Sequence, residues 1–188
     1  MTFTYPIQTS RLIVRPFEAA DVDDIYAYHS RPEVSQYLYW DARDRSEVEE
    51  VLKKRMASNT FQQEGDNLVL AVELNQKGTV IGDLYLMWRS QAHQQAEIGF
   101  IFNPDYKGQG YATEASEVLL ALGFGEFGFH RIYGRCDARN VASYKLMERL
   151  GMRQEAHFIH IELFKGEWGD ELFYAILEDE WRERSGNS

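Results

Sequence analysis

Residues 107–113 form a short stretch whose residue types suit the binding of an anionic group. It follows an apolar run at 98–102, which predicts a buried strand, and leads into residues spaced as in an amphipathic helix. Glycines at 108 and 110 permit a tight turn. The free N–H groups and the dipole of a helix N-terminus both attract negative charge. The sequence therefore predicts an anion site between a strand and a helix.

Two common phosphate-binding loops are absent from the chain. It contains no G-x-x-x-x-G-K-[ST], and no G-x-G-x-x-G follows a predicted strand. A Walker loop and a dinucleotide fingerprint are therefore excluded. On this stretch alone, a second explanation stays open, namely that Gly108 and Gly110 only form a turn.

A second candidate segment begins at Asp137 and ends at Met152. Asn140 stands where a predicted strand gives way to a predicted helix, a position that favours an N-cap. Ser143 falls in the first turn of that helix, where a solvated serine is the plain interpretation. Asn-x-x-Ser by itself is weak evidence of function.

Taken in this order, the two segments resemble those of the GCN5-related N-acetyltransferases. The sequence Tyr-Lys-Gly-Gln-Gly-Tyr-Ala-Thr-Glu-Ala at 106–115 is most similar to the RimJ/RimL-like branch, whose named members acetylate protein N-termini. The opening Arg-Leu-x-x-Arg-Pro at 11–16 resembles the same branch, and the similarity extends over about residues 9–182. Lys107 departs from the family, which usually has Gln or Arg at that position.

The resemblance implies acetyl-CoA as the co-substrate. Its pyrophosphate would lie on the glycine loop, its pantetheine arm would contact Asn140, and its sulfur would lie near Ser143. Backbone N–H groups of residues 100–102 are candidates for binding the thioester oxygen. The expected cofactor-binding residues are Phe100, Ile101, Phe102, Lys107, Gly108, Gln109, Gly110, Tyr111, Ala112, Thr113, Asn140 and Ser143.

One departure concerns the acid that protonates the leaving thiolate. Many relatives place a tyrosine seven residues after the asparagine, but this chain has Met147 there, and methionine cannot donate a proton. Two alternatives stay open. Ser143 acts as the acid, directly or through water, or the thiolate leaves without an acid because a thiol pKa of about 8.5 already makes it a fair leaving group.

Glu162 is the first candidate for the catalytic base. Its spacing from Ser143 is similar to that of a glutamate proposed as catalytic in RimL-type enzymes. Glu97, at the start of the strand before the glycine loop, is the second candidate. Each glutamate also has a structural explanation: Glu162 as an exposed residue of an alternating strand, and Glu97 as a solvated strand end.

The composition predicts one domain, residues 1–188. A chain of 188 residues with 44% hydrophobic content suits a single sizeable core. The net charge of −10 argues against a nucleic-acid partner. It is compatible with a cationic amine acceptor and also with simple solubility, which is the commoner reason.

Location and metal content are predicted from what the sequence lacks. The sequence contains no run of 18 apolar residues, so no membrane span is predicted. Residues 1–6 do not resemble a signal peptide. Together with the single cysteine, Cys136, these features favour the cytoplasm. His157 and His160 have no third clustered ligand, so no metal site is expected. The sequence does not distinguish a monomer from a homodimer.

The order of predicted elements is strand, helices, three strands, helix, strand, helix and two strands. It predicts an α+β fold, an α/β sandwich with a mostly antiparallel sheet of about seven strands flanked by helices, which is also the fold that the resemblance implies. Within this order, Ser46 and Glu49 predict a capping box. The helix after the glycine loop is expected to end near Phe127, and residues 165–170 are expected to join the last two strands.

The predicted function is acetyl-CoA-dependent N-acetylation of a primary amine by direct attack. The first acceptor candidate is a protein N-terminal α-amine, and the second is a small-molecule amine such as an antibiotic, polyamine or amino acid. A rival from another class is a non-catalytic acyl-CoA-binding sensor on the same fold. Only Met147 supports that rival.

Overall fold

A computed structural model describes residues 5–58 and 61–186 of the chain. The predicted domain limits therefore include residues 1–4, 59–60 and 187–188, which lie outside the described residues. In chain order, the elements are β1 (Ile7–Gln8), β2 (Leu12–Arg15), α1 (Val22–His29), α2 (Pro32–Ser35), α3 (Arg45–Ala57), β3 (Asn67–Leu74), β4 (Thr79–Ser90), β5 (Gln95–Phe102), α4 (Tyr111–Ala121), β6 (Arg131–Asp137), α5 (Val141–Arg149), β7 (Arg153–Phe164), β8 (Glu167–Leu177) and α6 (Glu178–Gly186).

The strands form one sheet in the order β1-β2-β3-β4-β5-β6-β8-β7. Each neighbouring pair is antiparallel except β5 and β6, which are parallel. The predicted α+β class with a mostly antiparallel sheet is confirmed. The sheet has eight strands because the two-residue strand β1 adds to the edge of β2.

Helices cover the two faces of the sheet unequally. On one face, here called the α1 face, a small core of residues such as Ile25, Tyr28 and Leu52 lies under α1 and α3. On the other, here called the α4 face, the main core packs under α4 and α5 and includes Leu119 and Ile132. Since α1 and α3 cover β3 and β4 but not β6 to β8, the α1 face stays more open at that end.

A gap opens between β5 and β6. Their parallel ladder joins Gln95–Glu97 to residues 131–133 only. Beyond Glu97, β5 continues to Phe102 beside β4, while β6 continues to Asp137 beside β8. The two strands in the middle of the sheet therefore part, and every second N–H and C=O of each one points into the space between them.

Two local predictions about secondary structure were wrong. The capping box of α3 is formed by Asp44 and Glu47, not by Ser46 and Glu49, because the Asp44 carboxylate accepts the Glu47 N–H while Glu47 accepts the Asp44 N–H. The last hairpin turns tightly at Lys165 and Gly166, both with positive φ, so β8 begins at Glu167 rather than after residue 170.

Among the described residues, no helix combines the length and apolar composition needed to cross a bilayer.

Candidate active site

The glycine loop lies directly before the N-terminus of α4. A 3-10 turn at Pro104–Tyr106 ends β5, and Gly108 and Gly110 both have φ of +80°, which side chains with a Cβ rarely adopt. Gly110 is the N-cap residue, and the first intrahelical bond runs from Glu114 N–H to Gly110 O at 3.1 Å. The N–H groups of residues 111–113 therefore precede the helical ladder and are available to an anion.

A clamp from the β1–β2 turn holds this loop, and sequence reasoning missed it. The Glu114 carboxylate accepts hydrogen bonds from Thr9, Ser10 and Arg11, and Arg11 also donates to Gln109 O at 2.8 Å. Burial alone would raise the pKa of Glu114, but these hydrogen bonds outweigh it and lower the pKa below its usual value. The clamp fixes both the loop and the first turn of α4.

Two cationic side chains besides Arg11 lie beside the loop, those of Arg149 and Lys107. Arg149, at the end of α5, donates from Nε to Thr113 Oγ1 at 3.2 Å. Lys107 is exposed at the start of the loop. The two side chains add positive charge near the free amides of α4, which suits an anion more than the amides alone would.

The gap between β5 and β6 begins at a close contact around Gly134. A Cβ on Gly134 would lie 2.7 Å from Met147 Sδ and 3.5 Å from Ile98 O. Met147 is 1% exposed and is part of the core on the α4 face. The side chain at the position of the family tyrosine is therefore a packing residue here.

The predicted strand residues before the loop divide between the two faces. Phe100 and Phe102 pack against the main core on the α4 face, whereas Ile101 packs against the smaller core under α1. All three lie in the part of β5 that has left β6. Their side chains therefore alternate between the two faces of the strand that borders the gap.

Asn140 and Ser143 meet at the N-terminus of α5. Asn140 Oδ1 accepts from Ser143 N–H at 3.2 Å, so the asparagine is the N-cap that its position predicted. This bond leaves the amide NH₂ of Asn140 as a donor. Burial raises the pKa of the Cys136 thiol on β6 to about 11, and the nearby Ser143 hydroxyl opposes that rise. Both residues thus border the β6 side of the gap.

Glu97 is buried and paired, which rules out the solvated strand end that the sequence left open. Its side chain is only 6% exposed. Arg89 approaches Oε2 at 2.6 Å, and Arg135 Nε donates to Oε1 at 3.2 Å. Arg135 also donates to Glu171 Oε2 at 3.1 Å. With both oxygens on guanidinium groups, Glu97 is better placed to position Arg135 than to accept a proton.

Glu162 lies on the α1 face, under the segment that joins α2 and α3. Tyr39 Oη in that segment donates to Glu162 Oε1 at 2.7 Å. Lys165 anchors the segment, since its ammonium donates to the carbonyls of Ser35 and Trp40 and to Asp41. Glu162 is thus half-buried and oriented rather than freely exposed.

The structure sorts the predicted residues into two groups around one gap. The glycine loop, Asn140 and Ser143 border it on the α4 side, while Glu97 and Glu162 lie on the α1 side. Within residues 5–58 and 61–186, no three His, Cys, Asp or Glu side chains cluster in a way that could hold a metal ion. An anion site on one side and carboxylates on the other suit a transfer between two substrates that enter from opposite faces.

Known proteins match most of the chain. Residues 11–153 match the acetyltransferase (GNAT) domain family. The uncharacterized N-acetyltransferase YnaD of Bacillus subtilis is 34% identical over 175 residues, which are 93% of this chain and 98% of YnaD. A GNAT-family acetyltransferase from Bacillus anthracis has a crystal structure with a TM-score of 0.84 and 32% identity, over 93% of this chain and 99% of that one.

A third match is to the fold of an enzyme solved with its ligands. The spermidine N-acetyltransferase from Vibrio cholerae, in complex with CoA and spermine, has a TM-score of 0.76 at 24% identity, over 92% of this chain and 99% of that chain. The family match over residues 11–153 and the identity to YnaD show that this chain belongs to the GNAT family of N-acetyltransferases and is an acyltransferase.

Proposed function

We propose that this protein transfers an acetyl group from acetyl-CoA to a primary amine by direct attack, and that it belongs to the RimJ/RimL-like branch of its family. The observation that carries the proposal is the gap between β5 and β6. It borders the glycine loop on the α4 face and the carboxylates on the α1 face. Two substrates can therefore meet inside the sheet without competing for one entrance.

The donor side fits a CoA pyrophosphate. Gly108 has open space where a Cβ would stand, and the first-turn amides of α4 are available. Lys107 and Arg149 supply positive charge beside them. Along the gap, the amide of Asn140 and the free backbone groups of β5 offer hydrogen bonds to a pantetheine arm, which carries amide groups of its own.

The reaction needs a proton to leave the acceptor before its nitrogen can attack. A carboxylate on the α1 face takes that proton, and Glu162 is the first candidate, because Glu97 already has both oxygens paired. The nitrogen lone pair then attacks the thioester carbon, the C–N bond forms and the C–S bond breaks. The departing thiolate receives a proton from Ser143 or from water, and the second proton that the nitrogen loses as it becomes an amide restores that donor.

The first acceptor candidate is a protein N-terminal α-amine. Its pKa of about 7.7–8.0 demands little help from a base. Exposed apolar side chains in the α2–α3 segment and on β7, the strand that carries Glu162, support a peptide acceptor, since Tyr39 is 72% exposed, Phe158 43% and Ile159 63%. These side chains could receive the residues that follow the reacting amine.

A polyamine is the second candidate, and a different observation favours it. The α1 face carries carboxylates at its open end, and a multiply charged amine would pair with them. The spermidine N-acetyltransferase from Vibrio cholerae shares the fold of this chain. The acceptor that gives the higher kcat/KM, a peptide with a free N-terminus or a polyamine, distinguishes the two candidates.

Calorimetric titration with acetyl-CoA, with ATP as control, tests the donor site first. Binding of acetyl-CoA alone supports the proposal, and equal binding of ATP contradicts it. Thiol release is then measured with a short peptide that has a free N-terminus, the same peptide blocked at that end, and spermidine. If only the free peptide is turned over, the acceptor is an α-amine. If only spermidine is turned over, the acceptor is a polyamine. Binding without release from any amine would indicate a sensor instead.

A further inference from the structure

A third carboxylate shares the α1 face with Glu97 and Glu162. Glu171 on β8 pairs in register with Asp137 on β6 and with Phe158 on β7. Because residues opposite each other share a face, this register places Glu171 on the side that carries Arg135 and Glu97. It lies where the ladder between β6 and β8 ends, between the gap and Glu162.

The hydrogen bonds of these carboxylates differ. Glu97 has a guanidinium on each oxygen, and Glu162 Oε1 accepts from Tyr39. Glu171 accepts from Arg135 at Oε2. Among the hydrogen bonds of the described residues, its Oε1 receives none. One lone-pair-bearing oxygen of Glu171 is thus left to meet a donor from outside the protein.

Around Glu171, the carboxylates outnumber the guanidinium groups by one. Three carboxylates, of Glu97, Glu162 and Glu171, share two guanidiniums, those of Arg89 and Arg135. The neighbouring Asp137 does not change this balance, because Arg139 pairs with it at 2.7 Å. A half-buried negative charge in excess favours a cationic ligand.

Glu171 lies among aromatic side chains rather than in open water. Its side chain is 16% exposed. Phe158 is its cross-strand neighbour, and Phe173, two residues along β8, stacks on Tyr133 with ring centroids 4.7 Å apart. In such surroundings, an ion pair with a substrate gains more than it would at an open surface.

We propose that Glu171 binds the ammonium group of the acceptor, with Arg135 as the residue that positions it. The proposal rests on the proposed N-acetyltransferase activity and specifies how its acceptor is held. The free Oε1 receives an N–H of the ammonium ion, which brings the nitrogen to the α1 side of the gap. The proton then passes to the base, and the neutral nitrogen attacks the thioester carbon.

The pH dependence of acceptor binding follows from the same surroundings. Burial raises the pKa of Glu171, Arg135 opposes that rise, and Glu162 and Glu97 add to it. As the pH falls through this raised value, Glu171 becomes neutral and the KM for the amine should increase. The titratable and charged groups that face Glu171 are Glu97 on β5, Arg135 and Asp137 on β6, Glu162 on β7 and Tyr39 between α2 and α3.

The test compares Glu171→Gln with Glu162→Gln, using the acceptor that the wild type turns over. Loss of one charged hydrogen bond should raise the KM of Glu171→Gln by about tenfold to a hundredfold with a smaller change in kcat. Glu162→Gln should lower kcat instead. Glu155→Gln is the matched control, because Glu155 pairs with Arg131 on the same sheet and is assigned no contact with substrate.

Further measurements separate binding from folding and from the wider proposal. Acetyl-CoA affinity should be the same in all three variants, and the rise of KM at low pH should vanish only in Glu171→Gln. Turnover with an unchanged KM in Glu171→Gln would overturn the role of Glu171 and leave the proposed function intact. Failure of the wild type to turn over any amine would overturn both.

Discussion

The two sides of the β5–β6 gap are built in different ways. On the α4 side, the glycine loop and the N-terminus of α5 are short continuous segments that present N–H groups and cations. On the α1 side, the carboxylates of Glu97, Glu162 and Glu171 come from three strands, and their partners come from three other parts of the chain. The proposed donor site is thus built from short continuous segments, and the proposed acceptor site is not. Substitutions on the two sides should accordingly change different constants.

The largest expected effect is on the donor side. Gly110→Glu should lower acetyl-CoA affinity by more than about a hundredfold, because it adds a negative charge at an anion site and strains a residue with φ of +80°. Calorimetric titration measures the loss.

Gly125→Glu is the control for this change. Gly125 is exposed, and a Cβ at this position would have no neighbouring atom within 4 Å, so it accepts the same side chain away from the loop. Unchanged affinity in Gly110→Glu, or equal loss in both variants, would remove the glycine loop from the donor site.

The next effect belongs to the acceptor side. Glu162→Gln should lower kcat by about a hundredfold, the low end of what a general base contributes, with acetyl-CoA affinity unchanged. Steady-state kinetics with the best acceptor gives kcat, and calorimetry gives the affinity. Normal kcat would move the proton-accepting role to water or to another carboxylate, and lost donor affinity would show that the two sides are not separable.

A smaller effect tests how the donor loop is held. Arg11→Met removes the ion pair with Glu114 and the hydrogen bond to Gln109 O, so acetyl-CoA affinity should fall by about tenfold. Arg45→Met is the control, because Arg45 is similarly exposed and pairs with Asp23 far from the loop. Equal affinities in the two variants would show that the loop keeps its shape without the clamp.

The same clamp predicts a pH dependence. The folded-state pKa of Glu114 lies below its usual value, so the stability it contributes is present above that usual value, about 4.3, and is lost as the pH falls through the depressed pKa. Thermal unfolding of the wild type between pH 5 and pH 3 should therefore show a steeper loss of stability than that of Glu114→Gln. Parallel curves would contradict the assignment.

The unequal construction of the two sides explains how much could be predicted from the sequence. The strand–loop–helix at residues 98–119 and the N-cap at Asn140 are fixed by neighbouring residues, and both appear where glycine, proline and apolar spacing placed them. Thr9 and Arg11 hold Glu114 from more than a hundred residues away, and no local pattern marks that contact. Glu171 was missed for the same reason.

The end of the helix after the glycine loop agrees with the sequence, but the type of its last part does not. The helix was expected to end near Phe127, and helical residues do extend to Glu126 with Phe127 as the C-cap, but α4 ends at Ala121 and Leu122–Glu126 form a π-helical segment. Gly123 in that segment lies so close to β6 that a Cβ would stand 2.4 Å from Ile132 Cδ1. The close contact between this segment and β6 accompanies the change from α-helix to π-helix, and the spacing of residues in the sequence does not show it.

The smallest expected effect concerns the leaving thiolate. Ser143→Ala should lower kcat by about fivefold, since one neutral hydrogen bond is worth about 1 kcal/mol and a thiol with a pKa of about 8.5 needs little further help to leave. The Asn140 cap uses the Ser143 backbone N–H, so the fold of α5 should persist in this variant.

Single-turnover acetyl transfer measures this effect without interference from product release. Tyr144→Phe, on the next residue, serves as the control hydroxyl. A loss beyond about a hundredfold in Ser143→Ala would support Ser143 as the acid that takes the place of the tyrosine absent at Met147, because proton transfer contributes about a hundredfold or more. No loss at all would show that the thiolate departs without an acid. The rate of acetyl transfer would then depend on how the gap places the two substrates.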